Sequence, residues 1–175
     1  NGNARSRRDA YSRKDEIRRK GKIMSKFKLS QRSLSRLEGV DEKLVSVVNY
    51  AIDVTKQDFG VICGLRTEEE QKLLVESGAS QTMYSKHLLG HAVDLLCYCG
   101  ARSSWELNLY DEVADAMAEG AKFVGVKIRW GAAWTVPNIA DYEGSMEDAM
   151  NSYIDTRRSQ GRRPFIDAPH FELMT

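Results

Sequence analysis

The feature that most constrains this chain is a carboxylate set inside an apolar run. Ala92-Val93-Asp94-Leu95-Leu96-Cys97-Tyr98 reads as a strand, yet Asp94 stands in its middle. An ionised carboxylate taken out of water alone is costly, so a fold built on this strand must supply Asp94 with partners. A metal ion is one such partner, because it neutralises the charge and takes the oxygen directly. The chain has three histidines. His87 lies just upstream, in Ser85-Lys86-His87-Leu88-Leu89-Gly90-His91, where Gly90 allows the backbone to turn a loop imidazole toward the strand. Near the C-terminus, alternation in His170-Phe171-Glu172-Leu173 puts Phe171 and Leu173 on one face and His170 and Glu172 on the other. His87, Asp94 and His170 together make a three-ligand zinc set that leaves a fourth position for water, as catalytic sites do. The same residues also read as satisfied histidines beside a hydrogen-bonded acid, and spacing alone leaves both readings open.

Around this run the elements alternate. Asp41 can cap a helix whose apolar stripe is Leu44, Val48, Ala51, Ile52 and Thr55. Phe59 to Cys63 reads as a short strand ending at Gly64. Thr67 and Glu70 form a capping box for a helix through Ser77, stopped by Gly78, and residues 78–85 read as a polar loop. A further helix is expected from Trp105 to Lys122, with Val113, Met117 and Ala121 along one face. Val126 to Trp130 and Phe171 to Leu173 read as strands, and Pro137 to Arg163 as a loop bearing one helix around Met146 to Ile154. Helices and strands mixed without βαβ regularity predict an α+β fold, a small antiparallel sheet with flanking helices.

With 175 residues, 42% hydrophobic and 29% charged, the chain can build one domain with a real core. No apolar run approaches the ~18–20 residues of a membrane-spanning helix, and no apolar stretch behind the basic start reads as a secretory signal. Cys63, Cys97 and Cys99 are an odd count without a framework spacing, which fits a reducing compartment. Cys97 and Cys99 are too close for an easy disulfide and lack a second pair for a zinc ribbon, so all three read as buried or incidental thiols. The net charge of +1 hides an asymmetry: residues 1–23 hold nine of the 26 basic and three of the 25 acidic side chains, leaving 17 and 22 for the rest. A boundary is expected near 23/24, with residues 1–23 an unfolded basic extension and 24–175 the domain. The extension reads either as a solvated tail or as a contact for RNA, lipid phosphate or another polyanion. Its start, Asn3-Ala4-Arg5-Ser6-Arg7-Arg8, resembles the RNA-binding arms of lambdoid phage antitermination proteins.

Ser85-x-His87-x-x-Gly90-x-Ala92-x-Asp94, followed far downstream by Asp167-x-x-His170, resembles the signature of the zinc D-Ala-D-Ala carboxypeptidase family with its VanY- and VanX-type peptidases. Within that family the chain is most similar to phage endolysins that act as L-alanyl-D-glutamate peptidases. Gly64-Leu65-Arg66-Thr67, Glu70-Gln71 and Arg129-Trp130-Gly131-Ala132-Ala133-Trp134 support the likeness, which runs from about Phe27 to Leu173. The resemblance implies a fold of the Hedgehog/DD-peptidase type and Zn2+ held by His87, Asp94 and His170. Asp167 falls where the family places its catalytic acid/base, often a Glu. Arg66 matches the arginine that steadies an oxyanion or a substrate carboxylate. The implied reaction is metal-assisted amide hydrolysis in the stem peptide of bacterial peptidoglycan, with L-Ala–D-Glu as the expected bond.

Other residues keep more than one reading. Ser85 holds its loop or contacts substrate, and Trp134 packs in the core or lines a substrate groove. His91 stands at a variable place in the motif and reads as a non-ligand. Glu172 either orients His170 or replaces Asp167 as base. The implied setting is a monomer waiting in the host cytoplasm for holin-mediated release to the cell wall. The alternatives are a D-Ala-D-Ala carboxypeptidase or dipeptidase of the same family, and a silent zinc module that binds a partner.

Overall fold

Alternation along the central strand decides the architecture. In the computed structural model, which describes residues 13–175, β2 spans Ala92–Cys99, flanked in sequence by β1 (Asp58–Cys63) and β3 (Arg102–Ser104). Val93, Leu95 and Cys97 of β2 are fully buried, while Asp94, Leu96 and Tyr98 point to the other face and are half-buried. With β4 (Ile128–Trp130) and β5 (His170–Leu173) the sheet has the order β1-β2-β5-β4, all pairs antiparallel, and β3 pairs with the far end of β2. This is the small antiparallel sheet with flanking helices that the sequence predicts.

The apolar face of the sheet packs on two helices, α3 (Glu42–Val54) and α5 (Leu107–Val124). Their stripes, Leu44, Val47, Val48 and Ala51 on α3 and Tyr110, Val113, Met117 and Ala121 on α5, are completely buried. Phe171, Trp130 and Leu95 meet them from the sheet, each burial stabilising by about 1.5–3 kcal/mol. Asp41 caps α3 by accepting from the Lys43 N–H, and Thr55 ends it rather than extending its stripe. The capping box of Thr67 and Glu70 opens α4 (Glu68–Glu76) as expected, and a second one, Ser145 with Asp148, opens α6 (Met146–Ser159). Helix α6 continues past Ile154 because nothing in Asp155-Thr156-Arg157-Arg158 breaks it before Gly161.

Three features depart from expectation. Strand β3 and a one-and-a-half-turn helix, α2 (Gln31–Arg36), carry too few apolar residues to be read from pattern. Helix α5 begins at Leu107, leaving Trp105 exposed. The basic leader is the largest difference. Residues 13–19 are helical (α1), Ile17 is fully buried, and ion pairs tie Arg13 to Asp53 of α3 and Lys22 to Glu119 of α5. One buried isoleucine and two ion pairs supply the anchor that the leader's own composition lacks. The expected Asn3–Arg8 arm lies outside the described residues. No described helix is long and apolar enough to cross a membrane.

Candidate active site

The polar face of the sheet assembles the site by register. Asp94 is paired across β1 with Cys63, at an irregularity in β1, and across β5 with His170. Cross-strand partners share a face, so a thiol, a carboxylate and an imidazole stand in one row. The next row brings Arg129 of β4 opposite Glu172 of β5.

His87 arrives from outside the sheet. It sits on a 3-10 turn (Lys86–Leu89) whose N-cap is Ser85, with Ser85 Oγ accepting from the His87 N–H at 3.3 Å. Gly90 closes the turn at φ +67°, and a Cβ there would stand 2.2 Å from the Gly39 carbonyl, so only glycine fits. The turn carries His87 into a nearly closed environment, 2% exposed. Its Nδ1 faces the Gly64 carbonyl at 2.7 Å and its Nε2 faces Asp94 Oδ1 at 3.2 Å. His170 approaches the same oxygen with Nδ1 at 3.1 Å, while its Nε2 faces Glu172 Oε2 at 3.0 Å. Each imidazole thus has one nitrogen held from behind and the other aimed at Asp94 Oδ1. Arg129 holds Glu172 through Nε at 2.9 Å and through Nη2, and its guanidinium lies over the Trp134 ring at 5.2 Å.

The electrostatics follow from this packing. Burial pushes the Asp94 carboxyl up, but hydrogen bonds from His170 and His87 outweigh it and hold Asp94 well below the usual carboxylate range. Burial alone would lower both imidazoles. Asp94, assisted by Cys63 at His87 and by Glu172 at His170, instead raises them to about 10 and about 9. The acid and the two imidazoles therefore hold protons where their donor atoms converge, and a dication bound there would release them. The donor set, two imidazole nitrogens and a carboxylate oxygen with carbonyl and carboxylate support behind the rings, fits a divalent metal ion. Cys63, His87 and Asp94 also have ligand atoms within 4.8 Å of one another, a group that could hold a metal ion. Against Cys63 as a ligand, its Sγ lies 3.7 Å from His87 Nδ1, the nitrogen already committed to Gly64.

Arg66 and Asp167 flank this cluster. Gln71, fully buried on α4, accepts from Arg66 Nη1 at 2.7 Å, and Arg66 Nη2 lies 3.2 Å from Cys63 Sγ and 3.4 Å from Asp94 Oδ2. The family arginine position therefore sits against the cluster rather than apart from it. Asp167 is set by a backbone clasp: its N–H donates to the Gly131 carbonyl, and the Gly131 N–H donates to the His170 carbonyl, both at 2.8 Å. A Cβ on Gly131 would meet the Asp167 carbonyl at 2.2 Å. Trp130, fully buried, donates from Nε1 to the Ala168 carbonyl and fixes the same loop. Burial pushes the Asp167 carboxyl above its ordinary range, only partly opposed by His170.

All seven residues singled out in the sequence, Arg66, Ser85, His87, Asp94, Trp134, Asp167 and His170, line one cleft of about 980 Å³. A second cavity, near Lys56 and Met146, is about 280 Å³.

A sequence model of the phage L-alanyl-D-glutamate peptidase family matches residues 24–174. The chain belongs to that family. The L-alanyl-D-glutamate peptidase of Escherichia phage T5 is 30% identical over 112 residues, covering 62% of this chain and 82% of that protein. That of Listeria phage A118 is 39% identical over 71 residues, which is 41% of this chain and 24% of that longer protein. Among solved structures, the Serratia marcescens L-Ala D-Glu endopeptidase ChiX superposes with a TM-score of 0.63 at 30% identity, covering 84% of this chain and 90% of that one.

Three further residues are built into the site. Cys63 is no incidental thiol but a neighbour of His87 and Arg66; its place just before Gly64-Leu65-Arg66 was the available signal. Glu172 backs His170, one of its two expected readings. Arg129 had no local signal, since its partner lies across β5. His91 stays outside the donor cluster; its carbonyl accepts from the Leu173 N–H.

Proposed function

We propose that this chain hydrolyses the L-Ala–D-Glu bond in the stem peptide of bacterial peptidoglycan, with Zn2+ held by His87, Asp94 and His170. The observation that carries the reading is the convergence of both imidazoles on Asp94 Oδ1 at 3.1 and 3.2 Å in a cleft that also holds Asp167 and Arg66. When bound there, zinc would polarise the scissile carbonyl and make water acidic enough to lose a proton near neutral pH. Asp167, whose raised pKa suits a group that must both accept and return a proton, takes that proton and delivers it to the leaving amine. Arg66 presents a fixed positive charge, held by Gln71, to the oxyanion or to a substrate carboxylate. Glu172, tied to Arg129, keeps His170 in one tautomer and leaves Asp167 as the base. Ser85 positions His87, and Trp134 walls the groove. The fold is then of the Hedgehog/DD-peptidase type. Residues 24–175 form the catalytic domain, the basic leader contacts anionic wall or envelope polymers, and the enzyme works as a monomer at the cell wall after release from the host cytoplasm.

Digestion of purified peptidoglycan, with fragments read by mass spectrometry, tests this. New N-terminal D-Glu ends that require zinc and vanish in Asp167→Ala are expected. Release of free D-Ala alone would instead assign a carboxypeptidase, and no cleavage of any stem bond would overturn the reading.

A further inference from the structure

The cleft beside the metal donors carries two buried hydrogen-bond donors that no described protein group satisfies. Arg157 Nε and Trp134 Nε1 are both sealed from solvent, and neither has an acceptor within reach among the described residues. Leaving a buried N–H without an acceptor is costly, and an indole or guanidinium N–H can only donate. The other two arginines of the cleft are already engaged, Arg66 with Asp94 and Gln71 and Arg129 with Glu172. Arg157 makes no ion pair among the described residues.

The surroundings place these donors along one wall. Trp134 stacks on His170 at 5.7 Å and on Phe165 at 6.2 Å, so an aromatic series runs from His170 through Trp134 to Phe165. Tyr153 of α6 fixes Phe165, donating from its hydroxyl to the Phe165 carbonyl and accepting from its N–H. Arg157 follows Tyr153 by four residues, on the same face of α6. The geometry points to a carboxylate subsite: Arg157, with the Trp134 indole N–H, binds a free carboxylate of the substrate on the leaving side of the scissile bond. This rests on the peptidase reading above. In an L-Ala–γ-D-Glu–diaminopimelate stem every free carboxylate lies beyond the cut bond, on D-Glu or on the third residue. A charge-assisted pair from a guanidinium matches that chemistry, and a neutral amide in the same place would not.

The test uses the zinc-loaded chain and the non-cleavable leaving-side product γ-D-Glu–diaminopimelate, measured by calorimetry. Two analogues separate the sources of the carboxylate: D-isoglutamine in place of D-Glu, and lysine in place of diaminopimelate. One analogue is expected to bind at least about tenfold more weakly than the parent, a difference that Arg157→Gln abolishes and Arg157→Lys partly keeps. Trp134→Phe, which retains the ring stack and removes the N–H, should weaken the parent more than that analogue. The analogue that suffers identifies the carboxylate. Equal binding of parent and both analogues to the wild-type chain would overturn the subsite, as would an equal loss for every peptide in Arg157→Gln. Peptide-bond cleavage is scored separately on the intact stem, so acid-selective binding without cleavage would keep the subsite and sink the peptidase reading.

Discussion

The two faces of the sheet are built from neighbouring residues of the same strands and behave as different materials. Val93, Leu95, Trp130 and Phe171 point inward, are completely buried, and join the buried side chains of α3 and α5 in one apolar core. Asp94, His170, Glu172 and Arg129, one residue out of phase, point to the cleft and are held by ion pairs and charge-assisted hydrogen bonds. The apolar face stabilises the fold and fixes register, and register in turn puts His170 opposite Asp94. The polar face then needs no stability of its own to be well placed. Substitutions on the two faces should therefore separate cleanly into loss of chemistry and loss of fold.

The largest separation is expected from Asp167→Ala. Loss of the acid/base should lower kcat by about 10²–10⁴-fold while zinc content and melting temperature stay near wild type. Steady-state hydrolysis of a stem peptide beside a thermal melt reads both. Phe171→Ala, on the inner face of β5, should do the reverse and destabilise by about 3–5 kcal/mol in a urea titration. The fraction that remains folded should retain its activity. If Phe171→Ala instead cut activity with stability intact, the division of labour between the faces would fail.

Glu172→Gln probes the seam between them. The His170 ring would lose its carboxylate partner, and zinc affinity should fall by about 10–100-fold, read by competition with a chromophoric chelator. The smallest effect concerns a carboxylate on the wrong side. Asp111 of α5 is 8% exposed, and its Oδ1 has no partner among the described residues, whereas Asp94 has three. Burial, with Glu147, Asp115 and Glu112 nearby, raises Asp111 to about 6. The folded state thus holds this proton more tightly than the unfolded state. Its contribution to stability is complete below about pH 4 and is lost as pH rises through about 6. Asp111→Asn should accordingly be more stable than wild type by roughly 1 kcal/mol at pH 7, with the gap closing at low pH. A gap that grew toward low pH would contradict this.

What was legible in the sequence divides along the same line. Caps and periodicity are local, so α3, α4 and β2 could be read from Asp41, Thr67 and the apolar run through Asp94. The meeting of His87 and His170 at Asp94 was legible because the split motif fixes residue types and order, even though His170 and Asp94 are 76 residues apart. Glu172 behind His170 was one of two expected readings, whereas the places of Cys63 and of Arg129 beside Glu172 depend on register between β1, β2, β5 and β4. The docking of residues 13–19 was hidden for a similar reason. Composition shows that a basic segment cannot fold alone, but it is silent on the burial of a single Ile17 and on the ion pairs of Arg13 with α3 and Lys22 with α5. Arg157 carried no signal at all until α6 was seen to face the cleft.

The most direct test of the account is zinc binding to the metal-stripped chain, with stoichiometry and affinity measured for wild type and for His87→Ala, Asp94→Asn, His170→Ala and Cys63→Ser. One zinc per wild-type chain is expected, with tight binding kept in Cys63→Ser and lost in the other three variants. Loss in Cys63→Ser with retention in His170→Ala would put the metal on the thiol side of His87 and contradict the proposed site.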